Sequence, residues 1–387
     1  MRNERLAEFG TTIFAEMSAL AVATGSINLG QGFPDTDGPA SLLRAAADAI
    51  LTGKGNQYPP GPGIPELRQA VAGHRQRHYG LSYDPDTEVL ITAGATEAIA
   101  AALLGLLNPG DEVIALEPYY DSYAACIAMA GARRVPVTLH PPAFALDVDT
   151  LRAAVTPRTR ILLINSPHNP TGAVLTRAEL TAVATVAIEH DLVVITDEVY
   201  EHLVYDVAEH IPLATLPGMR DRTVSISSAG KTFSVTGWKI GWALAAPPLL
   251  AAVRSAKQFL TYVNGGPFQY AVADALDTLG PDFYTGLRAS HQARRDLLAT
   301  GLTEAGFRVY VPRGTYFITA DVSHLGVDGL TFCRDLPSRC GVVAIPSAVF
   351  YDNKAAGESL VRFAFCKQTP VLRDATARLA SLRDQSA

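Results

Sequence analysis

The sequence predicts an α/β fold: a large domain with a mostly parallel central sheet covered by helices, joined to a smaller α+β domain. Three observations point there. Between about residues 88 and 245, short Val/Ile/Leu-rich runs alternate with helical stretches. Strands that are apolar throughout, rather than at every second position, are those buried on both faces of a parallel sheet. After about residue 247 the texture changes to long helical patterns followed by short strands, as in α+β domains. Finally, a chain of 387 residues with 48% hydrophobic and 18% charged residues has material for more than one core and is excluded from the disordered class.

Taken in order, the first 40 or so residues form an arm, made irregular by Gly30, Gly32, Pro34 and Pro39. "EVLITAG" reads as a strand, "ATEAIAAALLGLL" as a helix and "NPGD" as a turn. "EVIALE" is the next strand and "YDSYAACIAMAG" the next helix, followed by the strand "TRILLIN" and the helix "TRAELTAVATVAIEHD". "LVVITDEVY" and "RTVSISSAG" close the series. Helical patterns then run to about residue 305, through "LRASHQARRDLLATGLTEAG". Strands follow at "FRVYVP", "TYFITADV", "VVAIP" and "LVRFAFC". The expected division is an arm with part of the small domain over 1–40, a large domain over 41–283 and a small domain over 284–387. No internal repeat or low-complexity tract occurs.

Composition removes several function classes. Net charge is −6, from 32 basic and 38 acidic residues without a long basic cluster, so no nucleic-acid partner is expected. No apolar run reaches the ~18 residues of a membrane span, and the N-terminus lacks a secretory leader's apolar stretch. A cytoplasmic protein is expected. Cys126, Cys333, Cys340 and Cys366 form no CxxC pair and read as buried thiols of a reducing compartment. His74 and His78 in "GHRQRHYG" would share a helix face, as metal ligands can. No Glu stands at the HExxH position, and the flanking arginines favour a solvated basic face, so no metal site is expected.

Ligands of open α/β sheets bind beyond the carboxyl ends of the strands, and four such ends carry chemistry. "TAGATEA" places Gly94, Ala95 and Thr96 at a strand-to-helix junction, where free N–H groups suit an anion. "LLINSPHNPTG" ends with Asn165 and Asn169, and "VVITDEVY" with Asp197 and Tyr200. "VSISSAGK" ends with Ser228 and Lys231. An acid at the end of a buried strand calls for a cation, and a lysine there can form a Schiff base if its pKa is lowered. Alone, Asp197 would be a turn residue, Lys231 a surface charge and "NSPHNPTG" a polar turn. Together they suit an aromatic ring bearing a phosphate, an aldehyde and a basic nitrogen, which is pyridoxal 5'-phosphate.

The stretches "INLGQGFPD", "NQYPPGPG", "EPYYDSY", "INSPHNPTG", "ITDEVYEHLVYD", "SSAGKTFSVTGWKIGW", "GTYF" and "LVRFAFCK" span residues 27 to 367. On these the chain resembles the class I, fold-type I pyridoxal-phosphate aminotransferases. Within them it is similar to the branch of kynurenine/glutamine transaminases and actinobacterial succinyldiaminopimelate aminotransferases. The resemblance implies that Lys231 is the reacting amine, that Asp197 pairs with the pyridinium nitrogen and that Asn169, helped by Tyr200, meets the ring's 3-oxygen. Tyr120 would stack on the ring. Ala95, Thr96, Ser228 and Lys239 would hold the phosphate, joined by Tyr58 from a partner subunit of a homodimer. Arg362 would bind the substrate α-carboxylate, assisted by Asn165, with Gly30 lining the substrate pocket.

The substrates implied are small: an amino acid, glutamate by expectation, and a 2-oxo acid or keto acceptor such as N-succinyl-2-amino-6-ketopimelate. The chain departs from the kynurenine-transaminase pattern at Thr96-Glu97, at Phe14 and at Asn264-Gly265-Gly266, which points to a roomier pocket for a long polar donor. Arg313, beside "GTYF", is either a second carboxylate site or a surface charge. The same motifs would also serve a C–S β-lyase or a carbon–carbon bond-forming enzyme. A regulatory protein using this scaffold would need a DNA-binding module, for which the arm has no room.

Overall fold

The computed structural model describes residues 3–10 and 12–384. Its strands are β1 (Ile27–Asn28), β2 (Val89–Ala93), β3 (Glu112–Glu117), β4 (Arg133–Thr138), β5 (Thr159–Asn165), β6 (Val193–Asp197), β7 (Thr223–Ser228) and β8 (Ile240–Leu244), then β9 (Arg308–Tyr310), β10 (Phe317–Asp321), β11 (Val342–Val343), β12 (Ile345–Pro346) and β13 (Leu360–Ala364). Seven of them form one sheet in the order β2-β8-β7-β6-β5-β3-β4. From β7 to β4 the pairing is parallel, and β8 runs antiparallel to both of its neighbours.

The apolar runs are continuous because both faces are covered. Ile161, Leu163, Ile195, Val224 and Ile226 join the core beneath helix Gly94–Leu106. The alternate residues Leu162, Ile164 and Val194 enter a second core with helix Arg177–Glu189. A capping box starts that helix: Thr176 accepts from the Glu179 amide while the Glu179 carboxylate accepts from the Thr176 amide. A third core, with Leu67, Val71 and Trp242, lies under helix Pro65–Tyr79. No helix among the described residues is long and apolar enough to cross a membrane.

Beyond β8 the chain enters a four-stranded antiparallel sheet, β12-β13-β10-β9. Helix Pro281–Glu304 packs there against helix Thr369–Asp384. At Gly301 an added Cβ would lie 2.3 Å from the Thr376 side chain, so the two helices touch at backbone distance. The arm contains more order than expected. Residues 13–24 form a helix whose Met17 and Ala21 join the core of the antiparallel sheet, and β1 pairs with β11. This helix, "IFAEMSALAVAT", is apolar or small nearly all round and so shows no stripe in the sequence. Two strands were also missed. β4, "RRVPVT", is a charged edge strand that tolerates Pro136, and β8 is five residues following a turn.

The "GHRQRHYG" helix corrects the expectation of a solvated basic face. His74 is 1% and Arg75 0% exposed. Arg75 donates to Glu198 at 2.6 Å and to Glu201 at 2.9 Å. Burial works to raise the Glu198 carboxyl, and the Arg75 charge outweighs it, holding the acid near 2. These pairs tie helix Pro65–Tyr79 to the segment following β6. Replacing Arg75 by Met would strand two buried carboxylates, and we expect a loss of about 3–5 kcal/mol in urea denaturation; a change under ~1 kcal/mol would mean the network is not a structural tie.

Candidate active site

Parallel strands end together, so β5, β6 and β7 deliver Asn165, Asp197 and Ser228 to one edge of the sheet. Asn165 and Asp197 are direct partners in the β5–β6 register. A one-turn helix, Ala229–Thr232, follows β7 and carries Lys231. A cavity of about 330 Å³ opens at this edge. Ala95, Thr96, Tyr120, Asn165, Asn169, Asp197, Tyr200, Ser228, Lys231, Lys239 and Arg362 all line it.

At one end the cavity is built for an anion. Helix Gly94–Leu106 begins there, with Gly94 at φ 72°. A Cβ on Gly94 would stand 3.2 Å from Lys239 Nζ, so the ammonium lies directly over the helix start. β8 approaches so closely that a Cβ on Gly241 would meet the Gly94 carbonyl carbon at 2.5 Å and the Ala95 nitrogen at 2.7 Å. Only glycine leaves that approach open. Asn264 donates to the Lys239 carbonyl at 2.9 Å and to that of Thr92 at 3.2 Å, fixing the turn. Glu97 turns away from the cavity, accepting from the Ala93 amide at 2.6 Å and from the Thr261 hydroxyl.

Asp197 is buried, and among the described residues no ion pair reaches it. Tyr123 donates to its Oδ2 at 2.5 Å and the Val199 amide to its Oδ1 at 3.3 Å. Burial pushes this carboxyl up, against both hydrogen bonds and the Lys231 charge. A cationic ring nitrogen would supply the missing counter-charge. Lys231 Nζ donates to the Tyr316 hydroxyl at 3.0 Å, which in turn donates to the Gly32 carbonyl at 2.5 Å. Burial draws Lys231 down to about 8; Lys239 and Arg362 act in the same direction, while Cys366 and Asp197 oppose them.

Arg362, in the middle of β13, is 1% exposed and meets no carboxylate among the described residues. Its Nη1 donates to Asn169 Oδ1 at 3.1 Å and its Nη2 to the Gly30 carbonyl at 3.0 Å, while its buried Nε has no partner. The Phe317, Phe350 and Phe14 rings surround it at 3.9, 4.9 and 5.3 Å. Burial draws its pKa down to about 10. A planar fork held by neutral acceptors over aromatic rings is suited to a carboxylate ligand.

Three of the residues singled out in the sequence do not line this cavity. Gly30 is buried behind the cavity, where its carbonyl holds Arg362 and an added Cβ would strike Ile345 at 2.9 Å. Tyr58 is 84% exposed, beside Tyr262, and does not line the cavity of its own chain. Arg313 is exposed and lines a different cavity, with Tyr310, Pro312 and Glu179. Sequence reasoning missed Tyr316 and Tyr123. "GTYF" carries the first, but a lone tyrosine in a strand reads as core. Tyr123 sits in a short, mostly apolar helix, where it too reads as core.

These residues fit pyridoxal phosphate on the structure's own terms. The Gly94–Lys239 cradle suits its phosphate, the unpaired acid of Asp197 its ring nitrogen and the lowered amine of Lys231 its aldehyde. The chain matches the family model "Aminotransferase class I and II" over residues 24–379. It is 58% identical to "Probable N-succinyldiaminopimelate aminotransferase DapC" of Mycobacterium tuberculosis, over 100% of both chains. It is 40% identical to the methionine aminotransferase of Escherichia coli, over 98% of this chain and 97% of that one. The solved structure of N-succinyldiaminopimelate aminotransferase from M. tuberculosis superposes with a TM-score of 0.96 at 59% identity, covering 99% of this chain and 100% of the other.

Only the neutral amine of Lys231 attacks an aldehyde. With its pKa near 8, uptake of pyridoxal phosphate by cofactor-free protein should accelerate from pH ~6.5 and level off above pH ~9, whereas an ordinary lysine would keep accelerating to pH ~10.4. A rate still rising at pH ~9.5 would contradict the lowered amine.

Proposed function

Because this chain belongs to the class I and II aminotransferases and is a pyridoxal-phosphate-dependent aminotransferase, we propose that it transfers the amino group of an L-amino acid, glutamate first, to N-succinyl-2-amino-6-ketopimelate. The observation that carries the chemistry is one cavity where the large sheet presents a lowered amine and the small sheet a buried, unpaired guanidinium. The acceptor is supported by the likeness to the M. tuberculosis protein along the whole of both chains.

When bound, the cofactor supplies an aldehyde for the amino group and an electron-withdrawing ring. In this reading Ser228, Lys239 and the Ala95 and Thr96 amides hold its phosphate. Asp197, set by Tyr123, stays ionised against the ring nitrogen. Asn169 and Tyr200, which line the cavity, would meet the cofactor's 3-oxygen, and Tyr120 would stack on its ring. Arg362, positioned by Asn169 and Gly30, would clamp the substrate α-carboxylate, with Asn165, which lines the same cavity, assisting. With the cofactor bound, that clamp would align Cα–H toward Lys231, whose Nζ would take the proton from Cα as general base and give it back as general acid. Tyr316 accepts from Nζ and orients it between the two positions.

The reading extends to assembly. Tyr262, 52% exposed, packs edge-on against the Tyr58 ring, and Phe259 and Leu260, 85% and 47% exposed, lie just before it in the chain. Such a patch suits a partner subunit, and we assign Tyr58 to the neighbour's phosphate in a homodimer. The division at 1–40, 41–283 and 284–387 and a cytoplasmic location complete the proposal; the four cysteines are free, three of them buried, as a reducing compartment allows.

Two experiments test it. Single-turnover assays across acceptors should give the highest kcat/KM with N-succinyl-2-amino-6-ketopimelate and glutamate; a tenfold preference for a methionine- or kynurenine-derived oxo acid would displace that substrate. Arg362→Lys should lower kcat/KM for every amino donor by about 100-fold, roughly 3 kcal/mol, and unchanged kinetics would remove Arg362 from the site.

A further inference from the structure

The segment after β6 faces two ways. Asp197 and Tyr200 line the cavity, while Glu198, Glu201 and His202 turn to the opposite side and meet helix Pro65–Tyr79. On that helix His74 and His78 are one turn apart, and His202 approaches them from 128 residues away. His74 Nε2 lies 2.8 Å from His202 Nε2, and the His78 ring centroid is 4.4 Å from that of His74 and 5.0 Å from that of His202. One nitrogen from each of the three falls within 4.8 Å of the others.

We propose that His74, His78 and His202 form a binding site for one divalent transition ion of the zinc class, separate from the cofactor cavity. Two nitrogens on a tetrahedral zinc stand about 3.3 Å apart, so His74 and His202 need to part by only about half an ångström. His78 is exposed, which gives the ion an entrance and the third ligand freedom to swing in. Three imidazoles select zinc, nickel or copper over magnesium and calcium.

The charge around the site also favours a cation. Glu198 and Glu201 face the single guanidinium of Arg75, which leaves one negative charge in the buried network. Arg77 and Arg288 stand near His78 and oppose a cation there, but Arg77 extends to the Leu276 carbonyl and Asp277. A second trio, Glu198, Glu201 and His210, has similar spacing. There Arg75 already fills the position a metal would take. Glu201 is held by Arg75 and by the Ser227 hydroxyl at 2.5 Å, so it lends charge to the histidine trio rather than a ligand.

Calorimetric titration of chelator-treated holoenzyme with Zn²⁺, and separately with Co²⁺ followed by visible absorption, tests the site. The expected result is one ion per chain, a cobalt spectrum of tetrahedral type and an affinity at least about tenfold weaker in His78→Ala. His78 lies on the surface outside the active site, so metal-free His78→Ala should keep its aminotransferase rate and melting temperature. His202→Gln, judged by the same titration, should abolish the site. Absence of saturable binding, or an affinity unchanged in His78→Ala, overturns the proposal and leaves the trio as a histidine–histidine hydrogen bond.

Discussion

The structure turns on a guanidinium that is buried without a counter-ion among the described residues. Arg362 and Arg75 are both among the largest fully buried side chains, yet their surroundings differ. Arg75 is matched by two carboxylates and serves as a structural tie. Arg362 is given two neutral oxygens and three aromatic faces, an arrangement that leaves its charge to be completed from outside. Leaving a charge in that state is costly to the fold, and the side chain is held by Phe14 of the N-terminal helix, the Gly30 carbonyl just after β1, and Asn169.

The same logic runs through the opposite wall. Asp197 is a buried acid that no ion pair reaches among the described residues, and Lys231 a base whose proton is loosened by burial and by two neighbouring cations. Each group alone would destabilise the site. Between them they define a ligand with a cationic ring, an aldehyde and an anionic tail, and a substrate with a carboxylate. The parallel sheet makes the arrangement possible because its strands end along one edge, whereas β13 of the other sheet brings Arg362 across. Chemistry is therefore divided between the two sheets.

Much of this was legible in the chain. The apolar runs within β3, β5 and β6 could be placed because burial on both faces removes alternation, and their polar last residues stood out against it; β7 alternates Val224 and Ile226 with Thr223, Ser225 and Ser227 although it is buried throughout. β8 and β4 were not legible: one is cut short by the Lys239 turn, the other is a charged edge. The helix over 13–24 lacks a polar face and gave no stripe. Tyr316, Tyr123 and the meeting of His74 with His202 depend on contacts between residues 74 to 128 positions apart or across the two sheets, where no local pattern exists. The "HRQRH" run misled because its charges suggested solvent, while Glu198 and Glu201, which bury Arg75, lie more than 120 residues away.

Arg362 is held ready for a carboxylate. The most direct measurement compares binding to the holoenzyme of an α-methyl amino acid, which has no Cα–H to lose, with that of its α-carboxamide. A charged pair replaced by a neutral contact at a buried guanidinium should weaken binding by about 30- to 1,000-fold, roughly 2–4 kcal/mol. Equal affinities for the acid and the amide would show that Arg362 is not the carboxylate seat.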